Sequence, residues 1–207
     1  MHDLVILIPA YNEVKNLAKI LKYKYNYLII DDGSNDGTEK ILKKKKINYI
    51  KNSTKIGYEK SLITGLNYLK KKKFKYVITL DGDGEHPISK VKKIYSLAKN
   101  KKIDLIICNR KHKNRFLEDL LSLFFQIRFG LKDPLSGMKI YYLPKIKSLV
   151  NKIDKNSFLV DVIIMFVNKK YKILNYKIFT KKKIGESKVG YNINVQLKIL
   201  KLFRFIF

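Results

Sequence analysis

Short apolar segments alternate with longer amphipathic segments through the first half of this 207-residue chain, and this alternation constrains the fold most strongly. The apolar segments are residues 5–9, 27–31, 47–50, 76–80 and 103–108. Between them, apolar residues recur every three to four positions, the spacing of one helix face. Continuous apolar strands separated by amphipathic helices are typical of a parallel sheet covered by helices on both faces. We therefore predict an α/β fold.

Acidic and polar residues follow these predicted strands. The first strand runs into PAYNE (9–13), the second into DDGS (31–34), the fourth into DGDGE (81–85) and the fifth into Asn109-Arg110. The carboxyl ends of parallel strands meet at one edge of the sheet, where ligands bind. The chain as a whole is basic, with 45 Lys and Arg against 17 Asp and Glu and a formal net charge of +28. We predict that its scarce acids converge on one ligand site.

The segment LDGDGEHP (80–87) carries the strongest sign of metal chemistry. Asp81 and Asp83 would point to one side of the chain after the strand, and a turn would bring Glu85 beside them. Clustered carboxylate oxygens suit Mg²⁺ or Mn²⁺. A solvated acidic turn explains the same residues equally well, and the twelve-residue pattern of a calcium EF-hand is absent. His86, before Pro87, fits a helix entry or a supporting position as well as a metal ligand.

Two further segments supply candidate ligand contacts. Asp32 could accept hydrogen bonds from a base or a ribose, whereas Asp36 and Thr38 are better explained as helix caps. Tyr11 offers a ring on which a base could stack. Glu13 stands at a helix start, where capping is the alternative role.

The second half of the chain has a different organisation. Its predicted elements are a very apolar helix (116–131), a turn (133–137), a short strand (140–143), a helix (157–167), a strand (173–179), a basic loop (180–190) and a last helix (191–207). The last helix carries one polar stripe on an otherwise apolar surface. We predict that it contacts a membrane surface or a second subunit, or packs on the rest of the chain.

Composition narrows the class of protein. A hydrophobic content of 46% argues against intrinsic disorder. The single cysteine, Cys108, excludes an internal disulfide and indicates a reducing compartment, and we expect a buried, inert thiol. We expect no signal peptide and no transmembrane helix, because no apolar run approaches about 20 residues. The positive charge fits a nucleic acid, an anionic membrane, or a lysine-rich composition with solvated side chains.

Six segments in order resemble family 2 glycosyltransferases: PAYNE, IIDDGSNDGT, LDGDGEHP, Asn109-Arg110, DPLSGMKIY and GESK. The likeness runs from Leu4 to about Val189 and is greatest to the dolichyl- and polyprenyl-phosphate sugar synthase branch, which includes the dolichol-phosphate mannosyltransferases. It implies a GT-A fold, which is a Rossmann-like, mostly parallel sheet. It also implies a nucleotide-sugar donor, Mg²⁺ or Mn²⁺, and inversion of the anomeric centre. Residues 1–190 would form the catalytic domain, and 191–207 an amphipathic C-terminal helix.

The resemblance also assigns roles to individual residues. The nucleoside pocket would be formed by Pro9, Tyr11, Glu13, Ile30 and Asp32. The metal and diphosphate motif would be Asp81, Gly82 and Asp83, with Asp83 holding the metal directly and Glu85 as the neighbouring ligand. Arg110 would contact a donor or acceptor phosphate, and Lys188 of GESK would close a loop over the donor diphosphate. Lys182 and Lys139 stand where relatives usually carry arginine, which keeps the charge and loses the bidentate fork.

The expected reaction is transfer of a sugar from GDP-mannose or a UDP-hexose to a polyprenyl or dolichyl phosphate. Such an acceptor is already an anion at neutral pH, so it needs no strong general base. A glycan or glycolipid hydroxyl is the alternative acceptor and would need a carboxylate base. Asp133 is the candidate base, although a turn-forming aspartate before Pro134 explains it equally well.

The expected location follows from the acceptor. A lipid phosphate lies at a membrane, so we expect a peripheral enzyme at the cytoplasmic face, held by helix 116–131 and the C-terminal helix on an anionic surface. Contact within a homo-oligomer is the alternative role for the C-terminal helix. The lysines are scattered and no recognition motif is present, so no nucleic acid is expected as a partner.

Overall fold

Seven strands form one sheet in the computed structural model, which describes residues 1–111, 116–180 and 193–205. The strands are β1 (Leu4–Ala10), β2 (Tyr27–Asp31), β3 (Asn48–Lys51), β4 (Tyr76–Thr79), β5 (Leu105–Arg110), β6 (Lys139–Tyr142) and β7 (Ile173–Ile178). Their order in the sheet is β3-β2-β1-β4-β6-β5-β7. Only β6 runs against its neighbours β4 and β5, and the other strand pairs are parallel. The predicted mostly parallel α/β sheet is confirmed.

Helices cover both faces of this sheet. They are α1 (Val14–Ile20), α2 (Thr38–Lys44), α3 (Tyr58–Lys70), α4 (Val91–Asn100), α5 (Phe116–Phe129), α6 (Leu143–Lys147), α7 (Val160–Asn168) and α8 (Ile193–Leu202). Side chains alternate across β1, so that Val5 and Leu7 join one buried cluster while Ile6 and Ile8 join another. The first cluster is completed from α3, α5, α7 and α8, and the second from α1, α2 and α4. The two-sided burial explains why the strands are apolar without interruption.

Several helix boundaries differ from those predicted from the sequence. Pro87 precedes a 3-10 turn (Ile88–Lys90), and α4 starts only at Val91. The helix predicted from residue 157 begins at Val160, because Phe158 and Leu159 both have positive φ angles, which a right-handed helix excludes. The short helix α6 was not predicted, since five residues are too few to show a periodic pattern.

The strand order places the ligand edge at one point in the sheet. The chain builds outward from β1 through β2 to β3 and then returns to the other side of β1 to form β4. Such a reversal of direction leaves a crevice beyond the carboxyl ends of the two central strands. Because β6 is antiparallel, its first residue, Lys139, pairs with Thr79 at the end of β4. The segment that precedes β6 therefore reaches the same edge as the strand ends.

None of the helices in the described part of the chain has both the length and the apolar character that a membrane span requires. Cys108 is fully buried, and burial raises the pKa of its thiol to about 12, as expected for an inert cysteine.

Helix α3 approaches β1 at Gly65, which has no room for a side chain. A Cβ atom there would lie 2.3 Å from Cδ1 of Leu7. We expect Gly65→Ala to lower the free energy of unfolding by roughly 1–3 kcal/mol, as overpacking does. Urea denaturation would measure the change. Asn67→Ala, on the exposed side of the same helix, is the control. A gain in stability, which helix propensity alone would give Gly65→Ala, would show that α3 does not pack this closely.

Candidate functional site

A cavity of about 410 Å³ opens at the carboxyl edge of the sheet, where β1 and β4 end. Its wall includes most of the residues that the sequence predicted for the site: Pro9, Tyr11, Glu13, Asp32, Asp81, Gly82, Asp83, Glu85 and Arg110. These residues follow four different strands, so the scarce acids do converge on one place.

Asp81 is held firmly at the base of the cavity. Its Oδ1 accepts a hydrogen bond of 2.8 Å from the Tyr58 hydroxyl, and its Oδ2 lies 3.0 Å from Nε2 of His86. Burial would raise the pKa of Asp81, but the nearby His86, the Tyr58 hydroxyl and Arg110 lower it to about 2. Gly137 packs against the carboxylate so closely that an added Cβ would lie 2.2 Å from Oδ1. The glycine of the SGMK segment is thus required by contact with the acidic motif.

The three predicted metal ligands do not form a ready-made cluster. No group of three or more His, Cys, Asp or Glu side chains is arranged to hold a metal ion within residues 1–111, 116–180 and 193–205. All three line the cavity, but both oxygens of Asp81 are engaged by Tyr58 and His86. Asp83 Oδ1 also accepts a 3.1 Å hydrogen bond from the backbone N–H of Glu85, which fixes the turn between them. Two carboxylates suit a divalent cation that takes its remaining ligands from substrate phosphates.

Asp32 organises the loop of residues 52–57. Its Oδ1 accepts hydrogen bonds of 2.9 Å from the Asn52 side chain and from the Ile56 N–H, and its Oδ2 accepts one of 2.9 Å from the Gly57 N–H. Burial would raise the pKa of Asp32, but these hydrogen bonds outweigh it and lower the pKa. The predicted contact of Asp32 with a base or ribose stays a prediction, and both of its oxygens are already bonded within the chain.

The PAYNE segment is joined to the segment after β2. The Asn12 N–H donates to Ser34 Oγ and the Asn35 N–H donates to Asn12 Oδ1, each at 2.9 Å. Lys55 Nζ lies 4.1 Å from the centre of the Tyr11 ring. The ring that was predicted to stack on a base therefore has a cation over one face.

The hydrogen bonds at the N-terminal ends of α1 and α2 differ in part from the predicted helix caps. Glu13 does not cap α1 through its side chain, and its Oε2 accepts a 2.8 Å hydrogen bond from Asn16. Asp36 instead accepts from the Val14 N–H at 3.0 Å and so satisfies the first turn of α1 from the other segment. It also accepts from the Thr38 N–H and hydroxyl, in agreement with its predicted structural role.

Arg110 lies in a buried ion cluster. Its Nε and Nη2 donate to Asp133 at 3.0 and 2.8 Å, and Nη2 also lies 3.0 Å from Oε2 of Glu118. Burial would lower the pKa of the guanidinium, but the bonds and charges of these two carboxylates raise it overall. Arg110 lines the cavity with only 13% of its side chain exposed. If Arg110 contacts a phosphate, as predicted, the phosphate would have to share the guanidinium charge with Asp133 and Glu118.

The general-base assignment of Asp133 does not fit this geometry. The side chain is only 2% exposed, and both of its oxygens accept hydrogen bonds from Arg110. A base must reach the hydroxyl proton that it removes. Asp133 supports Arg110 instead, with a positive φ of 49° that suits the turn also foreseen for it.

Lys139, the lysine of the SGMK segment, is buried beside this cluster. Its side chain donates a 2.7 Å hydrogen bond to the Ser136 carbonyl and lines the cavity. Burial lowers the pKa of this ammonium to about 8, against the opposing effect of Asp133 and Asp81. A buried cation here places positive charge at the base of the cavity, as a phosphate site requires.

Three predicted site residues remain, of which the structure describes one. Ile30 is fully buried in the core with Val5, Leu28 and Leu62 and does not line the cavity, and its assignment to the nucleoside pocket stays a prediction. Neighbouring residues of a strand alternate between the two faces of a sheet. The side chain of Ile30 points to the face that is covered by α3. Lys182 and Lys188 lie outside the described residues.

Sequence reasoning missed the second wall of the cavity. This wall comes from α3, from the segments before β6 and α7, and from α8, and its side chains are Leu62, Leu135, Phe158, Leu159, Val195, Lys198 and Ile199 together with Tyr58 and Glu59. Most are apolar residues, and the sequence pattern alone predicts ordinary core positions for them. The helical pattern of the last segment was visible, but nothing local indicated that it reaches the cavity.

Comparison with known sequences identifies the type of site. The profile described as glycosyl transferase family 2 matches residues 5–121, which is more than half of the chain. An uncharacterized protein of Methanocaldococcus jannaschii is 35% identical over 133 residues, which is 59% of this chain and 58% of that protein. A UDP-N-acetylglucosamine–dolichyl-phosphate N-acetylglucosaminyltransferase of Methanococcus voltae is 28% identical over 127 residues, 51% of each chain. The chain therefore spans little more than half the length of these two relatives.

Solved structures share the fold at low sequence identity. Glucosyl-3-phosphoglycerate synthase from Mycobacterium tuberculosis, crystallised with Mn²⁺, UDP-glucose and phosphoglyceric acid, has a TM-score of 0.72 at 13% identity and covers 99% of this chain and 80% of its own. Mannosyl-3-phosphoglycerate synthase from Rubrobacter xylanophilus has a TM-score of 0.71 at 10% identity, with coverage of 97% and 72%. These likenesses confirm the predicted GT-A fold.

The ion cluster predicts the effect of changing Asp133. We expect Asp133→Asn to lower the free energy of unfolding by on the order of 3 kcal/mol, because it removes one partner of a buried charge pair. Chemical denaturation would measure the loss, with Asp119→Asn, an exposed position on α5, as the control. Unchanged stability combined with lost turnover and intact donor binding would instead restore Asp133 as a general base.

Proposed function

Because this chain belongs to glycosyl transferase family 2, we propose that it transfers a sugar from a nucleotide-sugar to a polyprenyl or dolichyl phosphate, with inversion of the anomeric centre. The observation that carries the proposal is the two-sided cavity. One wall carries the carboxylates of the strand ends, and the other is largely apolar. A charged nucleotide-sugar suits the first wall, and a lipid suits the second.

The donor half of the proposal rests on Asp83 and Glu85. These two carboxylates would hold Mg²⁺ or Mn²⁺ together with the donor diphosphate. The bound ion would stabilise the negative charge of the departing nucleoside diphosphate. UDP-sugars are favoured as donors, since the Methanococcus voltae relative is named for UDP-N-acetylglucosamine and the Mycobacterium tuberculosis structure contains UDP-glucose with Mn²⁺. GDP-mannose is a further candidate donor.

The other residues of the first wall would prepare the site. Tyr58 and His86 fix the carboxylate of Asp81, and Asp32 fixes the loop that carries Lys55. Holding these groups before the donor arrives removes the cost of ordering them during the reaction. Lys139 would add a cation near the phosphates, and its single hydrogen bond to Ser136 leaves donors for a ligand.

A phosphate acceptor suits this site because its oxygen attacks without losing a proton. Asp133 is bound to Arg110 and is not placed to act as a base. The Methanococcus voltae relative is named for dolichyl phosphate, which supports the same class of acceptor.

A hydroxyl acceptor is the second candidate, and one observation favours it. Glu59 lines the cavity and is 7% exposed, and its Oε1 has no hydrogen-bond partner among the described residues. A buried carboxylate with a free acceptor oxygen could take the proton of a hydroxyl. The named structural neighbours are synthases of glucosyl- and mannosyl-3-phosphoglycerate, whose names do not include a lipid.

We also propose that the enzyme is peripheral to the cytoplasmic face of a membrane, held there by α5 and α8. These helices pack on each other, and Phe124 of α5 also meets Phe203, in the turn directly after α8, with ring centres 5.6 Å apart. Both expose large apolar side chains: Phe116, Leu123 and Ile127 on α5, and Leu197 and Leu200 on α8. Basic residues accompany them on the same helices, namely Arg128, Lys198 and Lys201. Apolar side chains beside cations match the chemistry of an anionic lipid surface.

The proposed reaction predicts which labelled product forms. Incubation with labelled UDP-N-acetylglucosamine, UDP-glucose or GDP-mannose, with Mn²⁺ or Mg²⁺ and dolichyl or undecaprenyl phosphate, should give a labelled lipid with at least one donor. EDTA should abolish the product, and Asp83→Asn should reduce kcat by about 100-fold. Glu39→Gln, on the surface helix α2, should have no effect.

A second variant separates the two acceptor classes. Glu59→Gln should leave kcat with a lipid phosphate nearly unchanged, because no proton is removed from that acceptor. Loss of kcat with Glu59→Gln, or transfer of label only to sugar hydroxyls, would reject the lipid-phosphate assignment in favour of the hydroxyl one.

The membrane proposal predicts binding to vesicles of anionic composition. The protein should sediment with phosphatidylglycerol vesicles and much less with phosphatidylcholine vesicles. The double variant Leu197→Ser and Leu200→Ser should weaken sedimentation by about tenfold, since two exposed apolar side chains no longer insert. Exchange of Tyr23 and Tyr68, which are exposed elsewhere on the surface, for serine is the control. Equal sedimentation of both double variants would count against α8 as the contact.

A further inference from the structure

The apolar wall of the cavity contains one pair of opposite charges. Lys198 of α8 and Glu59 of α3 face each other, with Nζ 3.6 Å from Oε1. Both residues line the cavity. The Glu59 side chain is 9% exposed and that of Lys198 is 41% exposed. Solvent or a ligand can therefore reach the lysine of this pair, whereas the glutamate is almost completely buried.

The contact between these two groups is weak for such a site. The distance of 3.6 Å exceeds that of a good hydrogen bond, and Glu59 Oε1 has no hydrogen-bond partner among residues 1–111, 116–180 and 193–205. A buried carboxylate oxygen normally has a partner. The ammonium of Lys198 has three donors and can bind a second anion while it stays close to Glu59.

The surroundings of Lys198 distinguish it from the other cations of the cavity. Arg110 is bound to two carboxylates, Lys139 donates to the Ser136 carbonyl at the base of the cavity, and Lys55 lies over Tyr11 near the strand ends. Lys198 is surrounded by apolar side chains instead. Its Nζ lies 5.8 Å from the centre of the Phe158 ring, and Val195 and Ile199 are its neighbours on the cavity wall.

We propose that Lys198 binds the phosphate of the lipid acceptor and that the apolar side chains around it receive the first carbons of the prenyl chain. This inference rests on the proposed function and names the residue that recognises its acceptor. A cation within an apolar wall matches a ligand in which a phosphate is joined directly to a hydrocarbon. An uncharged hydroxyl acceptor would have no use for the cation, and a free phosphate would have no use for the wall.

Helix α8 holds Lys198 in place through its own packing. Ile199 and Leu202 are buried in the core, and Arg204 pairs with Asp154 beyond the end of the helix. The side chain that enters the cavity thus belongs to the same helix that exposes Leu197 and Leu200. A prenyl chain leaving the cavity along α8 would meet the surface proposed to contact the membrane.

The proposal is tested by acceptor kinetics with farnesyl phosphate, which is short enough to be used without vesicles. Lys198→Met should raise the KM for farnesyl phosphate about tenfold or more, since a hydrogen bond to a charged group is lost. The KM for the nucleotide-sugar should not change. Lys198→Arg should stay within about threefold of the wild type. Lys169→Met, exposed just beyond the end of α7, should behave as the wild type.

A double variant separates recognition from a merely structural role. Lys198→Met leaves Glu59 buried without a counter-charge, and this alone could distort the cavity. In Lys198→Met with Glu59→Gln that stranded charge is absent. If Lys198 binds the phosphate, the KM of the double variant stays high. Recovery of the wild-type KM in the double variant would overturn the proposal, as would an increase in the donor KM with an unchanged acceptor KM.

Calorimetric binding separates this inference from the proposed reaction. Farnesyl phosphate should bind the wild-type protein at least about tenfold more tightly than it binds Lys198→Met, and farnesol should not distinguish them. Such binding without any transfer of label would reject the proposed reaction and keep Lys198 as the phosphate residue. Transfer by the wild type with equal binding of farnesyl phosphate to both proteins would reject the role of Lys198 alone.

Discussion

The buried ion cluster of Arg110, Asp133 and Glu118 is the interaction on which the cavity depends. It joins the end of β5 to α5 and to the turn before β6. Removing three charges from water is costly and is compensated only when each hydrogen-bonding group finds a partner. Here the guanidinium is shared between two carboxylates, and the Arg110 and Asp133 N–H groups donate to Asp133 and to Ser122. The same turn then delivers Gly137 and Lys139 to the base of the cavity.

This arrangement explains where a basic chain places its few acids. Most charged residues buried in the described structure are acids, and the buried lysine is Lys139, whereas most lysines are exposed. The positive charge of the whole protein therefore does not describe its site. Around the cavity, acids hold an arginine, the loop of residues 52–57 and the turn of residues 83–85 in place, and most lysines of the described residues lie on the outside. Within the described residues, the excess of positive charge thus belongs to the solvated surface, where charges act mainly at long range.

The sequence predicted the features that depend on local pattern. The spacing of apolar residues and the positions of turn residues located the strands. Because ligands bind at the carboxyl ends of parallel strands, the strand assignment also predicted that Asp32, Asp81 and Asp83 lie together. The errors concern pairings that no local spacing encodes. Asp133 looked like a free carboxylate because its partner Arg110 lies 23 residues away and meets it only after α5 has folded back. The side chain of Ile30 lies in the core and not on the cavity wall, because a position next to a ligand-bearing strand end can still point inward. The reach of α8 into the cavity depends on packing between α5 and α8, which a helical pattern cannot indicate.

The two walls of the cavity come from different parts of the chain, and this division bears on specificity. The acidic wall lies within residues 5–121, the part that matches the family profile. Much of the apolar wall, from Leu135 to Ile199, lies beyond that part. The proposed donor therefore rests on the part that matches the family profile, whereas the acceptor must be inferred from side chains that lie largely outside that part. Those side chains are large, apolar and grouped around one lysine, and this grouping is the basis on which we propose a phosphate on a hydrocarbon chain as the acceptor, because one such molecule would satisfy both the lysine and the apolar surface.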